Sequence, residues 1–353
     1  MEKNHDVELK TITDHPYNAG TPIEALSDDL TPADLIYVRN HFAIPSVGEQ
    51  AWSIDVGGAV ENPLELTMDD LRSMEPRALS MTLECAGNGR KKMDPLPGGT
   101  PWEYGAVSIV EFAGTSLTNV LQMARIDQEV TEIYFEGADS GEVSPGRREP
   151  FARSLPLDIA NHPDTLLAWE MNGEPLTAQH GYPLRLVVPG WYGMASVKWL
   201  KKVTARTKPF EGYFQRERYV YVADGSIDHA EPVTSICIRA LIIRPGHTAV
   251  LRVNKATQIE GIAWSGESAV SKVEVSTDAG LSWHMAQVAD PGNKYQPQRW
   301  TYRWTPQSSG TFTLSCRAYD VAGNAQPTEQ KWNEFGYGNN GPHSISVEVV
   351  ADG

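Results

Sequence analysis

The sequence predicts an α+β architecture in two domains, a mixed domain of strands and short helices followed by an all-β sandwich. Three observations support this prediction. The chain has 353 residues, and domains of about 100–200 residues are usual. Strand-like and helix-like runs are interspersed as far as about residue 223, without a regular βαβ rhythm. From Thr234 onward, short alternating strands recur with turn signals between them.

Residues 1–33 are polar and acidic and contain Pro16, Pro22 and Pro32. Prolines without hydrophobic periodicity favour an extended chain over a helix or a central strand. The sequence therefore predicts an extended N-terminal arm over 1–33.

Residues 34–228 are predicted to form the mixed domain. Strand-like runs include SIDVGGAV, LSMTLECA, EIYFEGA, PLRLVVPG and SVKWLKKVTA. The helix-like runs are short. One of them, TMDDLRSM, has Thr67 as its candidate N-cap, and the other, TSLTNVLQMARI, has Thr115 or Ser116.

Residues 229–353 are predicted to form the sandwich, entered through a linker-like stretch, ADGSIDHAEPVTS. Its runs include SICIRALII, TQIEGIAWSG, RWTYRWTP and HSISVEVV. Asp278, Ala279 and Gly280 separate two alternating runs, as a hairpin turn does. Short strands at this spacing over about 115 residues indicate an immunoglobulin-like fold.

Composition excludes several classes of function. A formal net charge of −15 argues against nucleic acid as a partner. No apolar run is long enough to span a membrane. The start, MEKNHDVELK, lacks a signal-peptide core, so the sequence as written predicts a cytoplasmic protein, or a periplasmic one if a leader was removed. No CxxC or CxxCH motif is present, which argues against a zinc ribbon or covalent c-type haem.

The stretch TLECAGNGRKK contains the most informative cysteine, Cys85. A strand ends there, and Gly87 and Gly89 predict a tight turn that a ligand can approach closely. The cations that follow, beginning with Arg90, would stabilise a thiolate. Residue 92 is a lysine, so the glycines do not make a dinucleotide fingerprint. An inert core thiol, a nucleophile and a soft metal ligand all remain open.

Two pairs of histidine and arginine suit a phosphate-bearing cofactor, because arginine binds phosphate oxygens in a bidentate fork. They are Arg39 with His41 and His180 with Arg185, and each could equally be an ordinary loop or strand residue. The segment from Lys198 to Arg218 is basic in an acidic chain, which indicates either a local anion site or a solvated face. Cys237 and Cys316 lie in strand patterns and are predicted core thiols.

In order along the chain, these motifs resemble those of the sulfite oxidase family of molybdenum enzymes. The matching segments are YVRNHFAIP, LECAGNGR, PWEYGAVS, FEGAD, HGYPLRLVVPG and SVKWL, followed by GIAWSG, VSKVEVSTDAGLSW, CRAYD and GNAQPT. The resemblance implies a sulfite-oxidase-type molybdopterin-binding domain followed by an immunoglobulin-like dimerisation domain.

The resemblance also implies a molybdenum–molybdopterin cofactor, without haem or flavin, in which Cys85 is the metal's thiolate ligand. The residues that fall at cofactor-binding positions of the family are Arg39, His41, Cys85, Asp139, His180, Arg185, Ser196 and Lys198. Those that fall at substrate-pocket or catalytic positions are Tyr219, Arg90, Arg39 and Trp102.

The implied reaction is the oxidation of sulfite to sulfate by oxygen-atom transfer in a homodimer. Electrons would pass to a separate acceptor, either a cytochrome c or dioxygen. One departure affects the substrate. The family's vertebrate and plant members carry a substrate-binding arginine after a Trp-Asn pair, and here Trp332-Asn333 is followed by Glu334 and Phe335. Losing that cation weakens dianion binding unless Arg216 or Arg218 replaces it.

Two alternatives stay open. The chain could be the molybdenum subunit of a sulfur-compound (sulfane) dehydrogenase that works with a cytochrome c, which the Phe335 position favours. It could instead be a degenerate member that binds no metal and uses its sandwich as a scaffold.

Overall fold

A computed structural model describes residues 7–48, 52–223, 225–227, 230–266, 268–290 and 292–351. The predicted mixture of strand and short helix is present, and strands dominate it. None of the helices in these ranges is both long and apolar enough to cross a membrane. The predicted domain boundary at residues 228 and 229 lies outside the described residues.

Two sheets form most of the first part of the chain. Its strands are β1 (Lys10–Asp14), β2 (Tyr17–Gly20), β3 (Ser53–Gly58), β4 (Leu64–Thr67), β5 (Pro76–Glu84), β6 (Val107–Ser116), β7 (Glu132–Ser144), β8 (Arg147–Pro156), β9 (Leu166–Met171), β10 (Glu174–Pro175), β11 (Arg185–Val187), β12 (Leu200–Arg206) and β13 (Val220–Tyr221). One sheet has the order β10-β9-β6-β5, with β11 also on β9, and the other β4-β3-β12-β7-β8. All pairings in them are antiparallel except β12 with β3.

The helices are short, and the two predicted N-caps are confirmed. The α-helices are α1 (Met68–Arg72), α2 (Leu117–Ala124) and α3 (Leu157–Ala160). Thr67 accepts a hydrogen bond from Asp70 N–H in a capping box, and Ser116 caps α2. Tighter 3-10 turns occur at Ile23–Ser27, Ala33–Leu35, Arg90–Lys92, Ala178–His180 and Gly193–Ala195, and a π-helical turn at Phe214–Arg218.

The structure describes the N-terminal segment from residue 7 onward. This part differs from the extended arm predicted for 1–33. β1 and β2 form an antiparallel hairpin. Leu26 is completely buried in the main core, and Thr21 N–H donates to Gly105 O at 2.8 Å. A few apolar side chains in a polar stretch suffice to dock it, because each buried leucine stabilises by about 1.5–3 kcal/mol.

The second part of the chain is all β. Its strands are β14 (Glu231–Pro232), which pairs with β13, and then β15 (Arg239–Arg244), β16 (Val250–Arg252), β17 (Thr257–Trp264), β18 (Val270–Ser276), β19 (His284–Met285), β20 (Gln287–Val288), β21 (Gln298–Trp304), β22 (Gly310–Asp320) and β23 (His343–Val350). Strands β15 to β23 form two sheets, β15-β17-β21-β20 and β16-β23-β22-β18-β19. Side chains from both sheets, including Ile259, Trp300 and Leu314, share one core.

The predicted hairpin turn at Asp278 to Gly280 joins β18 to β19, which pair antiparallel. Ala279 and Gly280 both have positive φ, and Asp278 accepts hydrogen bonds from Ser282. In β23 the buried and less buried residues alternate strictly, as a strand with one face on the core requires. Cys316 is a buried free thiol as predicted, whereas the free thiol Cys237 is only partly buried.

Candidate active site

One buried cavity collects the predicted cofactor residues. It has about 610 Å³ of empty volume and lies where the end of β5, the middle of β7, the loop after Tyr37 and residues 179–199 meet. Its lining includes Arg39, His41, Cys85, Asp139, His180, Arg185, Ser196, Lys198 and Tyr219. Arg90 and Trp102 lie outside this lining.

Cys85 follows directly after β5, and backbone hydrogen bonds fix its position. Its N–H donates to Ala106 O at 2.9 Å, and its carbonyl accepts from Asn88 N–H at 2.9 Å. The sulfur side chain is 7% exposed, so a small part of it faces the cavity. The expected turn is present. The space beside Gly87, where a ligand was expected to approach, is occupied by the Arg90 side chain. A Cβ there would stand 2.6 Å from Arg90 Nη2.

Two of the cavity's cations are anchored by backbone carbonyls. Lys198 Nζ donates to Arg39 O at 3.0 Å, to Gln179 O at 2.7 Å and to Asn40 Oδ1. Arg185 donates to His180 O at 3.0 Å. Since carbonyls are neutral, these contacts hold both side chains without an opposite charge. Burial and the charge of Arg185 lower the pKa of Lys198 well below its usual range.

The Arg185 guanidinium has N–H groups to spare. Its Nη2 donates to Ser196 O at 3.2 Å, so further N–H groups of its fork remain for a ligand. Burial lowers the pKa of Arg185 to about 10, which leaves it charged at neutral pH. Ser196 Oγ accepts from Val188 N–H at 3.0 Å, and its own O–H stays available as a donor.

Asp139 is the single acid among the described residues that line the cavity. It is 6% exposed, and its Oδ1 has no hydrogen-bond partner. Burial raises the pKa of Asp139 to about 6, although the charge of Lys198 opposes the shift. An unpaired buried polar atom costs about 1–3 kcal/mol, so Oδ1 is a ready acceptor for a ligand's donor group.

The two histidines of the cavity are neutral at physiological pH. Burial, together with the charges of Lys198 and Arg185, lowers the pKa of His180 to about 3. His180 Nδ1 lies 2.7 Å from Thr177 Oγ1, and its Nε2 lies 3.3 Å from Tyr37 O. Burial lowers the pKa of His41 well below its usual range, helped by nearby cations. Both imidazoles can therefore offer one donor and one acceptor.

Tyr219 also lines the cavity. It leaves the π-helical turn Phe214–Arg218, a rare local structure that is frequent at functional sites. Its hydroxyl lies 2.8 Å from His41 Nε2, and its ring stacks on Tyr337 with centroids 5.0 Å apart. Burial raises the pKa of Tyr219, so the hydroxyl keeps its proton.

Arg90 and Trp102, predicted in the substrate pocket, are not among the described residues that line this cavity. Arg90 is 4% exposed and donates to Phe335 O and Thr100 O, both at 2.7 Å. Trp102 is completely buried in the same apolar cluster as Cys85, and its indole N–H has no partner. Neither placement tests their predicted roles, which stay predictions.

The basic segment from Lys198 to Arg218 was predicted to be either a local anion site or a solvated face, and its residues lie in more than one environment. Lys198 lines the cavity, whereas Lys202 pairs with Glu136 at 3.0 Å on the surface and Arg216 is exposed. Arg218 lies with its guanidinium carbon 4.8 Å from the Phe335 ring centre. The segment therefore lies partly in the cavity and partly on the surface.

Sequence reasoning missed several residues around the cavity. Tyr37 and Asn40 line it and belong to the YVRNHF motif, so their neighbours Arg39 and His41 could have indicated them. Arg153 lies fully buried, with its guanidinium carbon 5.7 Å from the Tyr219 ring centre. Tyr337 stacks on Tyr219 from the far end of the chain. No local signal indicated either of these two.

The metal-ligating side chains near the cavity limit the kind of metal site that can form there. Among the described residues, no three His, Cys, Asp or Glu side chains come together to chelate a metal. Cys85 can offer one soft sulfur ligand. A metal on that sulfur therefore needs its other ligands from a cofactor, and the surrounding cations suit an anionic one.

Two family models match the chain. The model described as "Oxidoreductase molybdopterin binding domain" matches residues 41–214, and "Mo-co oxidoreductase dimerisation domain" matches 231–350. Among solved structures, the sulfane dehydrogenase SoxCD from Paracoccus pantotrophus superposes with a TM-score of 0.85 at 27% identity. That likeness covers 96% of this chain and 88% of the other.

Curated relatives point the same way. The mitochondrial sulfite oxidase of Mus musculus is 33% identical over 97% of this chain. The chain spans 66% of that relative's length, just under two thirds. The sulfite oxidase of Arabidopsis thaliana is 31% identical, with 97% of this chain and 94% of that protein covered. The chain therefore belongs to the sulfite oxidase family of molybdopterin-dependent oxidoreductases.

Proposed function

We propose that this protein oxidises sulfite to sulfate with a molybdenum–molybdopterin cofactor and passes the electrons to a separate acceptor. One observation carries the proposal: Cys85 and Tyr219 line the same cavity, together with Arg39, Arg185 and Lys198. The similarity to sulfite oxidases over nearly the whole chain supports the same activity.

The residues present fit the cofactor. Asp139 offers an unpaired buried oxygen to a donor group, such as a pterin N–H. Arg39 and Arg185 have no carboxylate within salt-bridge distance among the described residues, so their charge can balance a phosphate. Ser196 and His180 add neutral hydrogen-bonding groups. Cys85 would supply the thiolate that holds the metal.

When bound, the cofactor supplies two-electron redox chemistry and exchange of an oxygen atom with the substrate. The protein's own residues bind and orient. Tyr219, protonated because it is buried, can donate its O–H to a substrate oxygen. Arg39 and Arg90 provide positive charge that is fixed before the substrate arrives, and preorganised charge stabilises an anionic transition state.

The alternative function is that of a molybdenum subunit of a sulfane dehydrogenase acting with a cytochrome c partner. Its support is the likeness to the sulfane dehydrogenase SoxCD and the position of Phe335, whose ring centre lies 5.9 Å from that of Tyr337. An aromatic ring where a cation is expected suits a less charged sulfur group better than a free dianion.

The assembly we propose is a homodimer formed through the second domain, an immunoglobulin-like sandwich, as the name of its family model suggests. A cytochrome c or dioxygen would accept the electrons. In this proposal the electrons reach that acceptor without a haem or flavin bound to this protein. The acidic net charge of −15 suits a basic cytochrome, because opposite charges steer association. A cytoplasmic location, or a periplasmic one after removal of a leader, stays a prediction.

The test is sulfite-dependent reduction of ferricyanide and of cytochrome c by protein produced with molybdenum cofactor. Turnover with sulfite supports the sulfite oxidase function. Turnover with carrier-bound sulfane sulfur but not with sulfite supports the alternative. Absence of both activities in molybdenum-loaded protein contradicts the proposed chemistry.

A further inference from the structure

Two arginines lie side by side next to the cavity. A Cβ placed on Gly99 would stand 3.3 Å from Arg90 Nη1 and 3.4 Å from Arg218 Nη2. Both guanidinium groups therefore approach the same small region. Gly99 itself is exposed and Arg218 is partly exposed, so an ion from solvent can reach this region.

No described carboxylate neutralises the two arginines. Arg90 donates only to the neutral carbonyls of Phe335 and Thr100. Arg218 has no ion pair within 4.0 Å in the described part of the chain. Burial lowers the pKa of Arg90, and the charge of Arg218 lowers it further. Two adjacent cations without a counter-ion repel each other, and an anion between them would relieve that repulsion.

Aromatic rings hold this pair in place. The Arg218 guanidinium carbon lies 4.8 Å from the Phe335 ring centre and 5.9 Å from that of Tyr337. The Arg90 guanidinium carbon lies 5.1 Å from the same Tyr337 ring centre. Cation–π contacts position the cations but leave N–H groups free, because a ring face accepts no localised hydrogen bond in the guanidinium plane.

The pair is also close to the cavity. Arg218 directly precedes Tyr219, whose ring stacks on Tyr337. The charge of Arg218 lowers the pKa of His41, where burial is the larger cause. It opposes the rise that burial produces in the pKa of Tyr219. Arg216, on the same helical turn, is exposed and contacts no ring among the residues that the structure describes, so it does not belong to the pair.

We propose that Arg218 is a substrate-binding residue that, with Arg90, receives a doubly charged oxyanion. Its guanidinium supplies the second cation of the substrate site, on the side where Phe335 stands. Sulfite and sulfate each present several oxygen acceptors, which two guanidinium forks match. The proposal rests on the proposed function for the identity of the anion, but the anion site itself can be tested without turnover.

The test compares Arg218→Gln with the control Arg216→Gln in molybdenum-loaded protein. Sulfite kinetics with ferricyanide give KM and kcat, and titration calorimetry with sulfate gives a binding constant that does not depend on turnover. Loss of a charge-assisted hydrogen bond corresponds to about tenfold or more in affinity. We expect Arg218→Gln to raise the sulfite KM and the sulfate Kd by at least about that factor, with kcat within about threefold.

Arg216→Gln is expected to leave both constants within about twofold, and Arg218→Lys to recover part of the loss, because lysine keeps the charge but not the fork. Thermal melts confirm that each variant is folded. Unchanged KM and Kd in Arg218→Gln overturn the proposal, as does a lowered kcat with unchanged KM. If the wild-type protein binds sulfate through Arg218 but does not oxidise sulfite, the anion site stands and the proposed function fails.

Discussion

The hydroxyl of Tyr219 lies 2.8 Å from His41 Nε2, and the two rings meet edge to face with centroids 5.7 Å apart. Burial raises the pKa of the phenol and lowers that of the imidazole, so two neutral groups meet at the cavity wall. The cations around them, Arg39 and Arg218 among them, attract an anion, whereas this neutral pair can only orient it.

Replacing Tyr219 by phenylalanine removes the hydroxyl and keeps the ring that stacks on Tyr337. A hydrogen bond to a charged group contributes about 1.5–3 kcal/mol, so we expect kcat/KM for sulfite to fall about tenfold to a hundredfold. Steady-state kinetics measure the loss. Tyr213→Phe, on the same segment but outside the cavity, serves as the control. Wild-type kcat/KM in Tyr219→Phe would remove Tyr219 from the substrate site.

Asp139→Ala tests the fit of the cofactor without an activity assay. The substitution removes the buried, unpaired Oδ1 that we assign to a cofactor donor. The loss of that contact should weaken cofactor binding about tenfold or more. Molybdopterin content per chain, measured by fluorescence after oxidative release, should fall. The exposed Asp127→Ala is the matched control. Full cofactor content in Asp139→Ala contradicts the assignment.

A buried ion pair joins the turn of Cys85 to the second part of the chain. Glu84 Oε1 lies 3.3 Å from Arg239 Nη1, and both side chains are almost fully buried. Glu84 also accepts hydrogen bonds from Asn88 Nδ2 at 2.9 Å and from Trp264 Nε1 at 2.8 Å. Because breaking a buried pair leaves an uncompensated charge, Glu84→Gln should lower the free energy of unfolding by about 3–5 kcal/mol.

The comparison for that substitution is Glu103→Gln, which breaks the exposed ion pairs of Glu103 with Lys10 and Lys91. Exposed pairs contribute at most about 1 kcal/mol, because water and salt screen them. Urea denaturation measures both variants. Equal destabilisation by the two substitutions would show that the Glu84 pair does not hold the two parts together.

Stability should fall as the pH drops below about 6.5. Burial lowers the pKa of His180 and of His343 to about 3 each. Since the unfolded chain binds these protons near pH 6.5 and the folded chain does not, each histidine costs about 1.4 kcal/mol per pH unit between those values. Asp139, with its pKa raised to about 6, acts in the opposite direction as the pH falls towards 4.

His343→Gln isolates this effect away from the cavity. His343 Nδ1 accepts a hydrogen bond from Ile242 N–H at 3.0 Å, and a glutamine oxygen can take over that role. Urea midpoints at pH 7, 6 and 5 should therefore decline less steeply in the variant. A slope identical to that of the wild type would mean that His343 titrates normally in the folded protein.

The parts of the fold that depend on near neighbours could be predicted from the sequence. Thr67 caps α1 from within its own turn, and the alternation of β23 places its residues on two faces. Contacts between distant segments could not. Arg90 donates to Phe335 O, 245 positions later, and Leu26 docks a segment whose composition is polar. No periodicity encodes such contacts, because they depend on how whole sheets pack.

The candidate site divides in the same way. The cavity residues lie in short motifs whose order identified the family, so His41, Cys85 and His180 could be anticipated together. The arrangement of Arg218 over Phe335 could not, because it needs the π-helical turn and the far end of the chain at once. From the sequence alone, Phe335 indicated only that the arginine expected at this position is absent.

The most direct test of the central claim is sulfite turnover per bound molybdenum in Cys85→Ser, with metal content and thermal melts measured on the same samples. Cys237→Ser, which alters a partly buried free thiol outside the cavity, is the control. If Cys85 holds the metal, turnover per molybdenum falls to background in Cys85→Ser while the fold survives, and stays at the wild-type value in Cys237→Ser. Near-wild-type turnover per molybdenum in Cys85→Ser would contradict the account.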